Sequence, residues 1–247
     1  MVSQDELKNV LQVAEGLTRL LSGVENVDKI METVHHAYQA EKVSRMEDQI
    51  ANLLVARIYQ GCAGDIVLED SCQSCGRPHD VVVSSRGLVV VNEVKRIEPE
   101  CFGGQAQYLL KTKKNRLREV KDRENTKGAL ERLLNDDIPE KCKQLHQGVP
   151  GVVWIISKNA SIMRTHVEDA AKEIQKRIRD EKEDRYRQLT AVGWLLDAVT
   201  TYRFSEKGTL EQSSSQSHCF LIRPSPILAD VLRQIGVCVS IWQEPVA

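Results

Sequence analysis

Hydrophobic positions recur at helical spacing through the first sixty residues of the chain. In residues 4–22, leucines and valines lie three or four positions apart, which predicts an amphipathic helix. Residues 26–60 predict two further helices or one long bent helix, and Gly61 is a typical stop signal. We expect residues 1–44 to form an N-terminal helical extension and residues 45–247 to form the main domain.

Beyond Gly61 the hydrophobic period changes to that of strands. "GDIVLED" (64–70) predicts one strand, and "DVVV" and "LVVVNEV" predict two more that "SSRG" joins as a hairpin. The charged stretch 103–134 is predicted to be mostly helical, and "GVVWIIS" (151–157) is typical of a buried strand. The remaining chain predicts a helix over about 163–187, strands over 191–204, 218–224 and 237–243, and a helix over 225–236. This order predicts an α/β fold with a mixed central sheet flanked by helices.

The composition is that of a globular protein and leaves the partner open. Of 247 residues, 41% are apolar and only 4% aromatic, so stacking of bases on aromatic rings is not expected to dominate any nucleic-acid contact. The net charge is −1, so a basic surface has to be local. The seven cysteines, the polar N-terminal stretch and the absence of a long apolar run predict a cytoplasmic protein with mostly free thiols and no membrane span.

Three charged residues stand at the ends of the predicted hairpin strands. Asp80 opens one run of valines, and Glu93 and Lys95 close the next. Alternation along a strand puts Glu93 and Lys95 on one face, and counting back from the turn places Asp80 opposite about residues 91–92, beside Glu93. Two adjacent carboxylates repel each other unless a cation bridges them or one takes up a proton. Oxygen ligands with room for waters suit Mg²⁺ or Mn²⁺, while a solvated strand end with a salt bridge is the alternative.

These residues carry a resemblance to a known family. "PHD", twelve residues and then "EVK" is similar to the motif of the PD-(D/E)xK nuclease superfamily, with His79 inserted between the proline and Asp80. Residues 45–157 also follow the family's order of helix, three strands, helix and strand. The resemblance implies a restriction-endonuclease-like core in which Asp80 and Glu93 bind Mg²⁺ or Mn²⁺ and Lys95 positions the attacking water. It implies a nuclease, with DNA favoured over RNA as the substrate.

The family often adds further site residues from neighbouring helices. Its additional acid corresponds best to Glu47, which shares a helical face with an apolar stripe and would need a partner there. An ordinary first-turn glutamate is the alternative reading of Glu47. The resemblance also implies a catalytic glutamine, either Gln105 or Gln107, with Gln105 closer to the start of the predicted helix.

Basic residues follow this glutamine along the same predicted helix. They would contact phosphates and make binding salt-dependent, although a solvated helix face has the same composition. The candidates for nucleic-acid binding are Lys111, Lys113, Lys114, Arg116 and Arg118.

A Cys-x-x-Cys pair, Cys72 and Cys75, lies in the loop between two predicted strands. Such a pair is a candidate for structural Zn²⁺, but a closed site needs four ligands. Cys62, His79 and Cys101 are the nearest additions in sequence. A loop with free thiols is the alternative.

A second class of function competes with the nuclease. The chain would then be a non-catalytic nucleic-acid-binding or assembly module that keeps the fold, with the N-terminal helices pairing with a partner protein or a second copy. Site geometry separates the two. Carboxylate oxygens of Asp80 and Glu93 within about 5 Å of one point favour the metal. An arginine tied to either acid favours the binding module.

Overall fold

We describe the protein from a computed structural model that covers residues 4–62, 64–71, 78–85, 87–97, 128–146, 148–157, 160–180, 183–196, 202–204, 210–212 and 217–241. The Cys-x-x-Cys pair, the candidate glutamines and the predicted basic helix lie outside these residues. The helices are α1 (Gln4–Leu20), α2 (Val27–Gln39), α3 (Val43–Tyr59), α4 (Ile138–Cys142), α5 (Ala160–Asp180) and α6 (Pro226–Gln234). Within the described ranges, no helix is long and apolar enough to span a bilayer.

The strands form one large mixed sheet and one small hairpin. They are β1 (Gly64–Ser71), β2 (Pro78–Ser85), β3 (Leu88–Ile97), β4 (Gly151–Ser157), β5 (Leu189–Leu196), β6 (Tyr202–Phe204), β7 (Leu210–Gln212), β8 (Ser217–Leu221) and β9 (Cys238–Ile241). The large sheet has the order β1-β2-β3-β4-β5-β8-β9, and β6 pairs with β7. Strands β1 to β3 are antiparallel, whereas β4 runs parallel to both β3 and β5. The predicted α/β class, with a mixed sheet flanked by helices, is confirmed.

Each face of the sheet has its own hydrophobic core. Helices α1, α2, α3 and α6 cover one face, and α5 with the helical segment that ends in α4 covers the other. The apolar positions of α1, such as Leu7 and Leu17, are buried in the same core as those of α3. The apolar stripes of the N-terminal helices are therefore used within the chain. A domain division at residue 44 and a partner bound through these helices stay predictions.

The β2–β3 hairpin follows the expected register closely. Ser85 pairs with Leu88 at the turn, and Val81 pairs with Asn92 at the open end. Continuing this register places Asp80 beside Glu93, one step further along β3 than the sequence count suggested.

The helical segment before β4 extends further than the predicted stretch 103–134. Described helical residues run from 128 through a π-helical turn (Leu133–Asp137) into α4, with the Ile138 N–H donating to the Leu133 carbonyl. Pro139 has no N–H to donate, so it interrupts the regular bonding without ending the helix. This extension brings three charged residues, Asp137, Glu140 and Lys141, to the end of the β2–β3 hairpin.

Two other element boundaries differ from the expectation. The helix predicted over 163–187 ends at Asp180, and a single 3-10 turn (Asp184–Tyr186) follows it. The strand predicted over 191–204 is divided between β5 and the short β6.

A buried polar contact fixes β3 immediately beside the hairpin end. The Asn92 side chain is fully buried, and its Oδ1 accepts hydrogen bonds from Tyr59 Oη and Trp154 Nε1, each at 2.9 Å. Trp154 in turn packs over Gly193, where an added Cβ would lie 2.1 Å from the indole. Asn92 therefore joins α3, β3 and β4 one residue before Glu93.

Candidate functional site

The regular backbone pairing of β2 with β3 ends at Val81, and beyond it the Asp80 carboxylate accepts a hydrogen bond from the backbone of β3. Its Oδ2 accepts the backbone N–H of Val94 at 2.7 Å and also lies 2.7 Å from Lys141 Nζ. The bond to Val94 fixes the carboxylate against β3, so its position follows from the hairpin. The side chain is 26% exposed and is open to a ligand.

Glu93 is the buried member of the acid pair. Its Oε1 lies 2.7 Å from His79 Nδ1, and its Oε2 lies 3.3 Å from Lys141 Nζ. Burial raises the pKa of the Glu93 carboxyl, and the Asp80 carboxylate adds to this, while the hydrogen bond from His79 and the charge of Lys141 act in the opposite direction. His79 therefore orients Glu93, which leaves Oε2 toward Asp80.

Lys141 places an ammonium group where the two carboxylates converge. It comes from α4, and its Nζ contacts oxygens of both Asp80 and Glu93. Burial lowers the pKa of this amine, but the contacts with Asp80 and Glu93 outweigh that effect and raise the pKa above the usual lysine value. Sequence reasoning missed Lys141, which lies 48 positions beyond Glu93 in a stretch to which no element was assigned.

Lys95 lies on the same strand as Glu93 but has its own acidic partners. Its Nζ is 3.0 Å from Glu140 Oε2 and 3.5 Å from Asp137 Oδ1. Asp137 is buried and also accepts a hydrogen bond from Arg132 Nε at 3.0 Å. The structure thus places Lys95 next to the acid pair, in a second charge network that α4 and the π-helical turn supply.

Two clefts share Asp80 and Lys141 in their linings. The first, of about 470 Å³, includes Asp48, Glu69, Asp80, Lys95, Arg132 and Lys141 in its lining. The second, of about 530 Å³, includes Lys29, Glu69, His79, Asp80, Lys141 and Lys143. Asp80 and Lys141 line both clefts, whereas the buried Glu93 lines neither, so a ligand in either cleft would meet Asp80 and Lys141 first.

Glu69 is an acid at this junction that no sequence pattern indicated. It lies on β1 between two residues that pair with Val81 and His79 of β2. Its φ of 46° is unusual for a non-glycine residue. Strained backbone of this kind concentrates at ligand sites.

Glu47 is buried, as its position in an apolar stripe predicted, and it has a partner. The partner is Arg96, whose Nη1 lies 2.9 Å from Glu47 Oε2, while Arg96 Nε binds Asp48 at 2.8 Å. The arginine supplies a cation for the buried carboxylate, so the carboxylate does not require a metal for neutralisation. A role for Glu47 as a metal ligand stays a prediction.

Several predicted site residues lie outside the described residues, so their roles stay predictions. They are Cys72, Cys75, Gln105, Lys111, Lys113, Lys114, Arg116 and Arg118. His79, named as a possible zinc ligand, is engaged with Glu93. Across the described ranges, no group of three or more His, Cys, Asp or Glu residues is arranged to hold a metal.

In comparisons with known proteins, no family model, curated protein or solved structure matches this chain.

The ligand atoms present at the site indicate which ligand it could hold. Asp80 Oδ2 and Glu93 Oε2 both lie within 3.3 Å of one point, which the Lys141 ammonium marks as a position for a cation. Mg²⁺ is commonly held by one or two carboxylates, with waters and substrate phosphates completing its shell. The two converging carboxylates, of which Asp80 borders a cleft, match the carboxylate part of that pattern.

Proposed function

We propose that the protein is a metal-dependent nuclease that hydrolyses phosphodiester bonds in DNA, with a restriction-endonuclease-like core. The observation that carries the proposal is the convergence of Asp80 and Glu93 on one cation position at the end of the β2–β3 hairpin. The antiparallel order β1-β2-β3, followed by a parallel β4, supports the resemblance in the motif.

Asp80 and Glu93 would hold Mg²⁺ or Mn²⁺. The bound ion would stabilise charge on a phosphate oxygen and lower the pKa of a bound water. His79 holds Oε1 of Glu93 and so keeps Oε2 available at the cation position. The Val94 N–H holds the Asp80 carboxylate in the same way.

Lys95 would orient the attacking water or contact the phosphate. Its pairing with Glu140 does not prevent this, because the Glu140 side chain is 61% exposed and such solvated ion pairs are weak. Its contact with the buried Asp137 is longer, at 3.5 Å, and Asp137 also has Arg132 as a partner. Lys95 and Arg132 both line the first cleft and give it basic groups suited to a phosphate backbone.

Cleavage of plasmid DNA, linear DNA and RNA in Mg²⁺, Mn²⁺ or EDTA tests the proposal. We expect cleavage of DNA that requires the metal, and Asp80→Asn or Glu93→Gln should each lower the rate by at least about 100-fold. Asp48→Asn is the matched control, since Asp48 lines the same cleft but lies on α3 and pairs with Arg96. Cleavage that persists in both site variants would refute the assignment.

A specific observation favours a second candidate, a non-catalytic nucleic-acid-binding module. Lys141 already places a positive charge between the two acids, so the acid pair has a counter-cation without a metal. The module would bind nucleic acid equally well in EDTA and in Mg²⁺, and would leave it intact in both. Filter binding beside the cleavage assay separates the two candidates.

A further inference from the structure

We propose that Lys141 is a built-in counter-cation of the acid pair, which a divalent cation has to displace before it binds Asp80 and Glu93. The inference rests on the proposed metal site and adds a residue that sets its affinity for metal. It begins from the position of Nζ, which contacts Asp80 Oδ2 at 2.7 Å and Glu93 Oε2 at 3.3 Å.

The ammonium and a divalent cation exclude each other at this position. A Mg²⁺ ion binds oxygens at about 2.0–2.1 Å, so an ion bridging the same two oxygens would overlap the space that Nζ fills. Two cations in contact would also repel strongly at a largely buried site. Binding of the ion therefore requires Lys141 Nζ to leave both carboxylates.

The structure offers the displaced ammonium another place. Lys141 Nζ also lies 3.3 Å from Gln144 Oε1, one turn along the chain. Gln144 lines the second cleft, as Lys141 does, so a rotation of the lysine side chain toward it keeps the ammonium solvated and hydrogen-bonded. The displacement needs no movement of the backbone of α4.

The exchange has a measurable energetic consequence. Without Lys141, Asp80 and Glu93 would face each other with no cation between them, which lowers stability. The same change removes the competitor of the metal. Replacing Lys141 by an uncharged residue should therefore destabilise the metal-free protein and at the same time tighten its binding of metal.

Calorimetric titration of the full chain with Mn²⁺ at about pH 8 tests the inference. We expect Lys141→Met to bind Mn²⁺ about 10- to 100-fold more tightly than the wild type, the range that loss of a charge-assisted contact supports. Lys141→Arg keeps the charge and should not tighten binding. Lys143→Met is the matched control, because Lys143 lines the second cleft two positions away and should leave the affinity unchanged.

Thermal unfolding of the same proteins gives a second readout. Lys141→Met should unfold at a lower temperature than the wild type without metal, and Mn²⁺ should raise its unfolding temperature by more than it raises that of the wild type. Should Lys141→Met fail to fold, Lys141→Gln replaces it, since its amide can still donate a hydrogen bond to one carboxylate.

Acylation of lysines in the wild type, followed by mass spectrometry, requires no variant. Mg²⁺ should increase labelling of Lys141 but not of Lys172, which pairs with Glu168 on α5. Equal Mn²⁺ affinity in the wild type and Lys141→Met, or unchanged labelling of Lys141 in saturating Mg²⁺, would overturn the inference and leave the nuclease proposal standing. Absence of Mn²⁺ binding in every protein would overturn the metal site itself.

Discussion

Replacement of Asn92 by leucine probes the buried contact that fixes β3 beside the acid pair. Leucine has a similar volume but accepts no hydrogen bond. The change leaves Tyr59 Oη and Trp154 Nε1, both now bonded to Asn92 Oδ1 at 2.9 Å, without that acceptor in a fully buried position. Each stranded donor costs about 1–3 kcal/mol, and the gain from the added apolar surface offsets roughly 1 kcal/mol.

We therefore expect Asn92→Leu to lower the free energy of unfolding by about 1–5 kcal/mol. That is a large part of the roughly 5–15 kcal/mol typical of a folded domain. Urea unfolding monitored by far-UV circular dichroism and by tryptophan fluorescence measures it. The two probes have to give coincident transitions before a free energy is taken from them.

A double-mutant cycle with Tyr59→Phe identifies the cause. In the wild type, removal of the Tyr59 hydroxyl should cost about 1 kcal/mol, because a hydrogen bond is lost. In the Asn92→Leu background the hydroxyl has already lost its acceptor, so its removal should be neutral or stabilising. A coupling energy of about 1–3 kcal/mol is expected. An equal effect of Tyr59→Phe in both backgrounds would refute the reasoning.

Two further predictions concern packing and thiol chemistry. Gly193→Ala should destabilise the protein by about 1–3 kcal/mol in urea unfolding, because the new Cβ would meet the Trp154 indole at 2.1 Å. Unchanged stability would show that the indole can move. Iodoacetamide should label exposed Cys238 in the folded protein, as peptide mapping would show. Burial raises the pKa of Cys142 to about 12 and raises that of Cys219 strongly, so both should react only on unfolding; early labelling of either would contradict their burial.

The hairpin and its acid pair were predictable from the sequence for a physical reason. A short connection between two valine-rich strands fixes the register, and a fixed register determines which side chains meet. Asp80 and Glu93 therefore come together through local structure alone. The burial of Glu47 followed in the same way from the helical period of α3.

The partners of these acids were not predictable, because they arrive through long-range packing. Lys141 reaches the pair only because the helical segment continues through a π-helical turn past Pro139, a residue that usually signals the end of a helix. Arg96 directly follows Lys95, yet its pairing with Glu47 depends on how α3 lies against β3. The sequence predicts that the acid pair and Glu47 each need a cation nearby, but it does not predict which residue supplies that cation.

The cost of burying these charges supports a functional reading of the site. A buried ion pair is a poor device for stability, since well-packed apolar side chains of similar volume often stabilise a fold as well or better. Burial raises the pKa of the Glu93 carboxyl, which shows that its charge is held against an energetic penalty. Asp80 and Lys141 share this polar cluster with Glu93, and both line two clefts. Asp80 and Lys141, charges that do little for stability and lie at the wall of a cleft, support the proposal of a ligand that uses them, and the proposed ligand is a cation held by Asp80 and Glu93.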